Sequence, residues 1–146
     1  VFGLMWFLKG WRRSLGIVIG AGAGWVSCLL VKYAVHLPRP SLDDVAHPLL
    51  KSASTLSYPS GHAAHSVFYV WLALTIVLRL RPGMARATAV LVAGFALTIL
   101  VGFSRVYLGV HYLSDVSGGW ALGAAAFSLC AALGLVISQL RQNPRQ

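Results

Sequence analysis

Residues 87–138 read ATAVLVAGFALTILVGF, then SRVYLGVHYLSD, then VSGGWALGAAAFSLCAALGLVIS. Two stretches without Asp, Glu, Lys or Arg, 87–103 and 116–138, flank a polar island at 104–115 that holds Ser104, Arg105, His111 and Asp115. A helix needs about 17 to 25 apolar residues to cross a bilayer, and both flanks meet that length. Residues 15–31 and 63–78 approach or reach it too, the second being the weaker because His65 follows close behind His62. A hydrophobic content of 58% and a mean hydropathy of +0.74 set the chain apart from soluble globules. The pattern predicts an all-α fold, a polytopic transmembrane helical bundle forming one domain over 1–146. Helices are expected at about 15–35, 61–80, 85–103 and 112–140. Residues 1–8 are apolar but too short to span and lack the layout of a signal peptide. They read as the tail of a helix that begins upstream.

The net charge of +9 would suit a nucleic-acid binder if the cations formed one patch. They do not. With four alternating spans, Lys9, Arg12, Arg13, Arg79, Arg81, Arg86, Arg141 and Arg145 share one side, with no acidic residue among them. Lys32, Arg39, Lys51 and Arg105 share the other with all three acids, Asp43, Asp44 and Asp115. The positive-inside rule puts the first group in the cytoplasm and the polar islands at the opposite face. Tyr33, Tyr58, Tyr107 and Tyr112 fall near the outer helix ends and Trp6 and Trp11 near the inner side, as interfacial aromatic belts do. Nucleic acid is therefore not an expected partner. The bilayer is.

Gly16, Gly20 and Gly24 recur at four-residue intervals on the first span, and Gly119 and Gly123 do so on the last. Small residues let helices approach closely in lipid, so these two helices are expected to pack together; a homo-oligomer through the same faces is the alternative. Pro38, Pro40 and Pro48 prevent one continuous helix between Lys32 and Tyr58. That connection reads as a lid or substrate-access segment, in which Ser41 and Asp44 have the spacing of a helix start. Arg81-Pro82-Gly83 reads as a tight turn, and 142–146 as a polar end. Cys28 and Cys130 sit inside predicted spans and read as packing residues, with a disulfide between them left open.

The chemistry gathers in three islands, 32–40, 59–62 and 104–115. His111 and Asp115 share a face if the helix has already begun, so the carboxylate can orient one ring nitrogen and leave the other basic. Alone, this pair reads more readily as a helix-end anchor, and the other islands reverse that preference. Ser60 precedes Gly61 and His62 as a helix cap would, and free amides at a helix start attract anions. Lys32, Arg39 and Arg105 bring three cations to the same face, matching the charge a transferring phosphoryl group spreads over its oxygens. His65, one turn past His62, reads more readily as a partner for a neighbouring helix. The chain has no Glu, two isolated cysteines and no carboxylate cluster, so no metal site and no cofactor is expected.

In order and spacing, Lys32 with Arg39-Pro40, Pro59-Ser60-Gly61-His62, and Ser104-Arg105 with His111 and Asp115 resemble the three-part signature of the type 2 phosphatidic acid phosphatase (PAP2) family. That superfamily also holds the vanadium haloperoxidases. The resemblance covers about 32–115 and is specific because all three parts occur in order. It implies His111 as a nucleophile forming a phosphohistidine, Asp115 as its partner and His62 as the proton donor. It also implies that Lys32, Arg39, Ser60, Gly61 and Arg105 bind the substrate phosphate. Lipid-phosphatase members carry about six membrane helices, so this chain would represent the last four and a remnant of the second. The expected activity is metal-independent hydrolysis of a lipid phosphate or diphosphate: a polyprenyl diphosphate, phosphatidic acid or phosphatidylglycerol phosphate. The expected location is a bacterial inner (cytoplasmic) membrane, with the site facing the periplasm or cell exterior. The rivals are a lipid phosphotransferase using the same intermediate and a catalytically silent lipid-binding membrane module. A haloperoxidase fits four apolar spans poorly.

Overall fold

Where the chain turns polar or meets proline, its helices stop. A computed structural model describes the backbone at residues 11–40 and 56–142, with side chains from Gly22 onward and Arg141 excepted. The apolar segment 1–8, the Ser41–Asp44 helix start, Pro48 and the polar end 143–146 lie outside the described residues, as do the side chains of Arg12, Arg13, Gly16 and Gly20. Among the described residues four helices follow in order: α1 (Trp11–Val35), α2 (Gly61–Leu80), α3 (Met84–Tyr107) and α4 (Leu113–Gln142). The described residues form no strand, only an isolated antiparallel bridge between Pro38 and Leu56. Helices α2, α3 and α4 are long and apolar enough to cross a membrane. Helix α1 has 25 residues, about 37 Å at 1.5 Å per residue, and its described part from Gly22 to Val35 is apolar.

The helix ends have local causes. After α1, His36 takes a left-handed φ of 53° and its N–H donates to the Lys32 carbonyl at 3.1 Å; after α2, Arg81 does the same with a φ of 44° and a bond to the Val77 carbonyl at 2.9 Å. A proline follows each closely, Pro38 and Pro82, so neither helix can resume. Helix α3 runs past Phe103, where the sequence reading ended it, because Ser104 and Arg105 keep helical geometry after the apolar run is over. Hydrophobicity marks the span and not the hydrogen-bonded helix. Helix α4 begins at Leu113, so His111 lies in the turn before it and not on its first turn.

Close backbone approach holds the bundle together. A Cβ on Gly119 would lie 2.5 Å from the Ser60 carbonyl oxygen, and one on Gly123 would overlap the Ala64 carbonyl. The first and last helices pack together as expected, but the α4 glycines form the seam with α2. Contact between α1 and α4 is looser, with a Cβ on Gly24 at 3.8 Å from that of Ala126. Gly102 makes room for Trp120 between α3 and α4. Across α2 and α3, the Thr98 hydroxyl donates to the Ser66 carbonyl at 2.8 Å. In lipid, such packing and interhelical bonds replace the hydrophobic force that drives association in water. Cys28 and Cys130 are free thiols, Cys28 buried against the Pro59 carbonyl. Many large apolar side chains face outward, Leu78, Leu100 and Leu135 among them, as a lipid-facing surface requires.

Gly123→Ala should lower stability in detergent by about 1 to 3 kcal/mol through overpacking. Gly134→Ala, with nothing within 4 Å of the added carbon, should be neutral or gain up to about 1 kcal/mol from helix propensity. Equal melting temperatures for the two variants would contradict the seam.

Candidate active site

The polar islands meet at one end of the bundle, around a cavity of about 1040 Å³. Its polar wall is made by Lys32, Arg39, His62, His65, Arg105 and His111, with the Gly61 backbone between them. Its apolar wall is made by Trp25 and Leu29 of α1, Phe68 of α2, Val101 of α3 and Phe127 of α4. Residues far apart in sequence thus share one space lined by both charged and apolar side chains.

His111 is set by bonds at both ring nitrogens. Arg39 Nη1 lies 3.3 Å from His111 Nε2 and also donates to the Val110 carbonyl at 2.6 Å. A guanidinium only donates, so Nε2 must be the acceptor and the proton sits on Nδ1. Nδ1–H then donates to Asp115 Oδ2 at 3.2 Å. The same oxygen accepts the Tyr112 backbone N–H at 2.9 Å. In this way Asp115, in the first turn of α4, reaches back to the residue that caps the helix, as the acid of a capping box does, and completes the orientation of the histidine. The ring is 5% exposed and Asp115 is 1% exposed. Burial first, and then the positive charge of Arg39, push the His111 imidazole from 6.5 down to about 4, with Asp115 opposing. The ring is neutral at pH 7.

The other expected phosphate ligands are placed differently from one another. Lys32 Nζ donates to the carbonyls of Leu56 at 2.9 Å and Ser57 at 3.2 Å, so two of its three donors tie α1 to the returning chain. Arg105, in the last turn of α3, bonds through Nε to Ser104 Oγ at 3.2 Å. Ser60 is fully buried and uses its hydroxyl as the cap of α2, accepting from the Ala63 amide at 3.4 Å. Its own N–H donates to the Asp115 carbonyl at 2.9 Å. Of the second island it is therefore Gly61 and His62, at the start of α2, that line the cavity. His65 Nδ1 bonds the Gly61 carbonyl at 2.7 Å and its ring lies 5.4 Å from that of Trp25. The described residues hold no group of three or more His, Cys, Asp or Glu side chains suited to a metal.

Sequence reasoning missed Ser57. It is fully buried, its hydroxyl donates to Asp115 Oδ2, and it lies 3.4 Å from His111 Nδ1. A serine before Tyr58 carries no periodic or motif signal, and the pairing of residues 37–38 with 56–57 brings it to the site.

Residues 12–138 match the PAP2 superfamily. The chain is 30% identical over 142 residues to phosphatidylglycerophosphatase B of Bacillus subtilis, covering 97% of this chain and 67% of that one. It is 34% identical to decaprenylphosphoryl-5-phosphoribose phosphatase of Mycobacterium tuberculosis, covering 84% and 63%. Its fold superposes on the crystal structure of the transmembrane PAP2 type phosphatidylglycerolphosphate phosphatase from Bacillus subtilis with a TM-score of 0.78 at 29% identity, covering 92% of this chain and 65% of that one. The chain thus spans about two thirds of the length of these relatives, and the polar cavity lies within that span. An all-helical bundle with spans long enough for a bilayer, a buried His111–Asp115 pair and a family match along nearly the whole chain lead to one conclusion: this is an integral membrane protein of the PAP2 superfamily.

Proposed function

We propose that the chain carries the catalytic part of a metal-independent lipid phosphatase that acts through a phosphohistidine at His111. The observation that carries this reading is the His111 ring itself, neutral, held at Nδ1 by Asp115, with its Nε2 lone pair in a cavity lined by three cations. A bound phosphate takes over the Arg39 donor, and the lone pair is left facing phosphorus. Lys32, Arg39, Arg105 and the amides at the start of α2 then hold the phosphoryl oxygens. As Nε2 attacks, the P–N bond forms, the bond from phosphorus to the leaving oxygen breaks, and protonated His62 gives that oxygen its proton. Water next attacks the phosphohistidine while neutral His62 takes a proton from it, the P–N bond breaks, and inorganic phosphate leaves. General acid–base help of this kind contributes about 10² to 10⁴ in rate.

The apolar wall of Trp25, Leu29, Phe68 and Phe127 supports a substrate whose chain stays in the bilayer while its phosphate enters the polar end. The relatives named above act on phosphatidylglycerol phosphate and on a decaprenylphosphoryl ribose phosphate, so a lipid phosphate is the shared chemistry. Candidate substrates here are polyprenyl diphosphates, phosphatidic acid and phosphatidylglycerol phosphate. Arg79, Arg81 and Arg86 are exposed around the turn from α2 to α3, at the end of the bundle away from the site. By the positive-inside rule that turn is cytoplasmic and the cavity opens to the other face, in a bacterial inner membrane toward the periplasm or exterior.

Purified protein should release phosphate from one or more of these lipids in excess EDTA and be inhibited by orthovanadate, which takes a trigonal-bipyramidal geometry. His111→Ala should lower kcat by about 10³-fold or more. Turnover that chelation abolishes and Mg²⁺ restores would contradict the mechanism.

Because protonated His111 cannot attack, the acid limb of kcat/KM should reflect the folded imidazole near 4 and not the free value of 6.5. Activity should persist as pH falls through 6.5 and be lost toward 4. The same shift makes the fold lose stability over that interval, since the unfolded imidazole takes up a proton that the folded one resists. An acid limb centred at 6.5 would contradict the geometry.

With Cys28 and Cys130 replaced by alanine, Tyr107→Cys should react with an impermeant maleimide in intact cells. Gly83→Cys should react only after permeabilisation. The reverse pattern would invert the orientation.

A further inference from the structure

Ser57 belongs to none of the three islands, yet each of its polar groups is bonded to one of them. Its N–H donates to the Leu37 carbonyl at 2.7 Å, and its carbonyl accepts from Lys32 Nζ at 3.2 Å. Its hydroxyl donates to Asp115 Oδ2, leaving its oxygen 3.4 Å from His111 Nδ1. Asp115 Oδ2 therefore collects three donors, the Ser57 hydroxyl, His111 Nδ1–H and the Tyr112 amide. Oδ1 is buried without a partner among the described residues. Everything that orients this carboxylate acts at one oxygen, and Ser57 supplies the one side-chain donor there besides the nucleophile itself.

We propose that Ser57 is a positioning residue for the phosphoryl-transfer step: its hydroxyl pins Asp115 Oδ2 against His111 Nδ1 and draws off part of the carboxylate charge. This rests on the reading of His111 as nucleophile. Two consequences follow from the loss of the hydroxyl. The carboxylate is free to turn away, so the ring is aimed less often and kcat falls. The charge left on Oδ2 also favours the imidazolium, so the nucleophile is protonated at higher pH. The other charged and titratable groups around His111 and its cavity are Lys32 and Tyr33 of α1, Arg39 after it, His62, His65 and Tyr69 of α2, Arg105 of α3 and Asp115 of α4. Among these, Ser57→Ala removes a side-chain bond to Asp115 alone.

The test compares wild type, Ser57→Ala, Asp115→Asn, the double variant and His111→Ala on one lipid phosphate, with full pH profiles of kcat/KM. Ser57→Ala should lower kcat by about 10- to 100-fold, as loss of a supporting hydrogen bond to an active group does, with KM changed less than about two-fold, and should move the acid limb upward. In the Asp115→Asn background the same change should cost less than about two-fold, because its route to His111 is already cut. Ser57→Cys, of nearly the same shape but a weak donor, should behave like the alanine variant and serves in its place if alanine impairs folding. An unmoved acid limb, or a loss that is undiminished in the Asp115→Asn background, would reduce Ser57 to a packing role and overturn the proposal. Full activity in His111→Ala would instead overturn the phosphohistidine reading, while an inactive His111→Ala beside an unimpaired Ser57→Ala would defeat the Ser57 proposal alone.

Discussion

Nearly everything that defines this site is fastened to Asp115. Its carboxylate receives His111, Ser57 and the amide that opens α4, and its backbone carbonyl receives the amide of Ser60. One residue therefore starts a helix, orients the histidine, and holds the connection from α1 and the start of α2 against α4. An acidic group in the first turn of a helix is favoured by the positive end of the helix dipole, so the same placement that stabilises α4 also sets the carboxylate beside the imidazole. Removing it would leave buried donors without an acceptor, and such losses cost more than the bonds themselves contribute.

The bundle supplies what Asp115 cannot, namely proximity. Gly119 and Gly123 let α4 lie directly on the backbone of α2, and His62 and His111 line the same cavity. The left-handed turn at His36 and the bridge from Pro38 to Leu56 return the chain so that Arg39 and Ser57 reach the same place. Cations near an apolar wall are costly in a membrane, more so toward its centre. Lys32 and Arg39 meet part of that cost with backbone carbonyls. On the proposed reading, a phosphate would meet the rest, which ties the stability of the cavity to its ligand.

The spans were legible in the sequence because hydrophobicity at this length has few other meanings, and Gly61–Leu80 starts and stops where Ser60 and Pro82 say it should. The gathering of Lys32, Arg39, Gly61, His62, Arg105 and His111 around one cavity agrees with the reading of three islands as one site. What was not legible depended on facing and on tertiary contact. Periodicity could not say which neighbour Gly119 and Gly123 touch. Residues 104–107 look like a loop by composition although they complete α3. Ser60 caps α2, as its place before Gly61 and His62 implies. Ser57 had no pattern to betray it, since its role comes from a fold-back of the chain and not from neighbours in sequence.

The central claim is a covalent bond between phosphorus and His111. Rapid quenching into alkali of the protein turning over a lipid substrate labelled with ³²P at its terminal phosphate, followed by proteolysis and mass spectrometry, tests it most directly. The expected result is an alkali-stable, acid-labile label on the peptide that contains His111, formed at least as fast as turnover and absent from His111→Ala. Phosphate release with no labelled protein at any time point, or label on a different side chain, would contradict it.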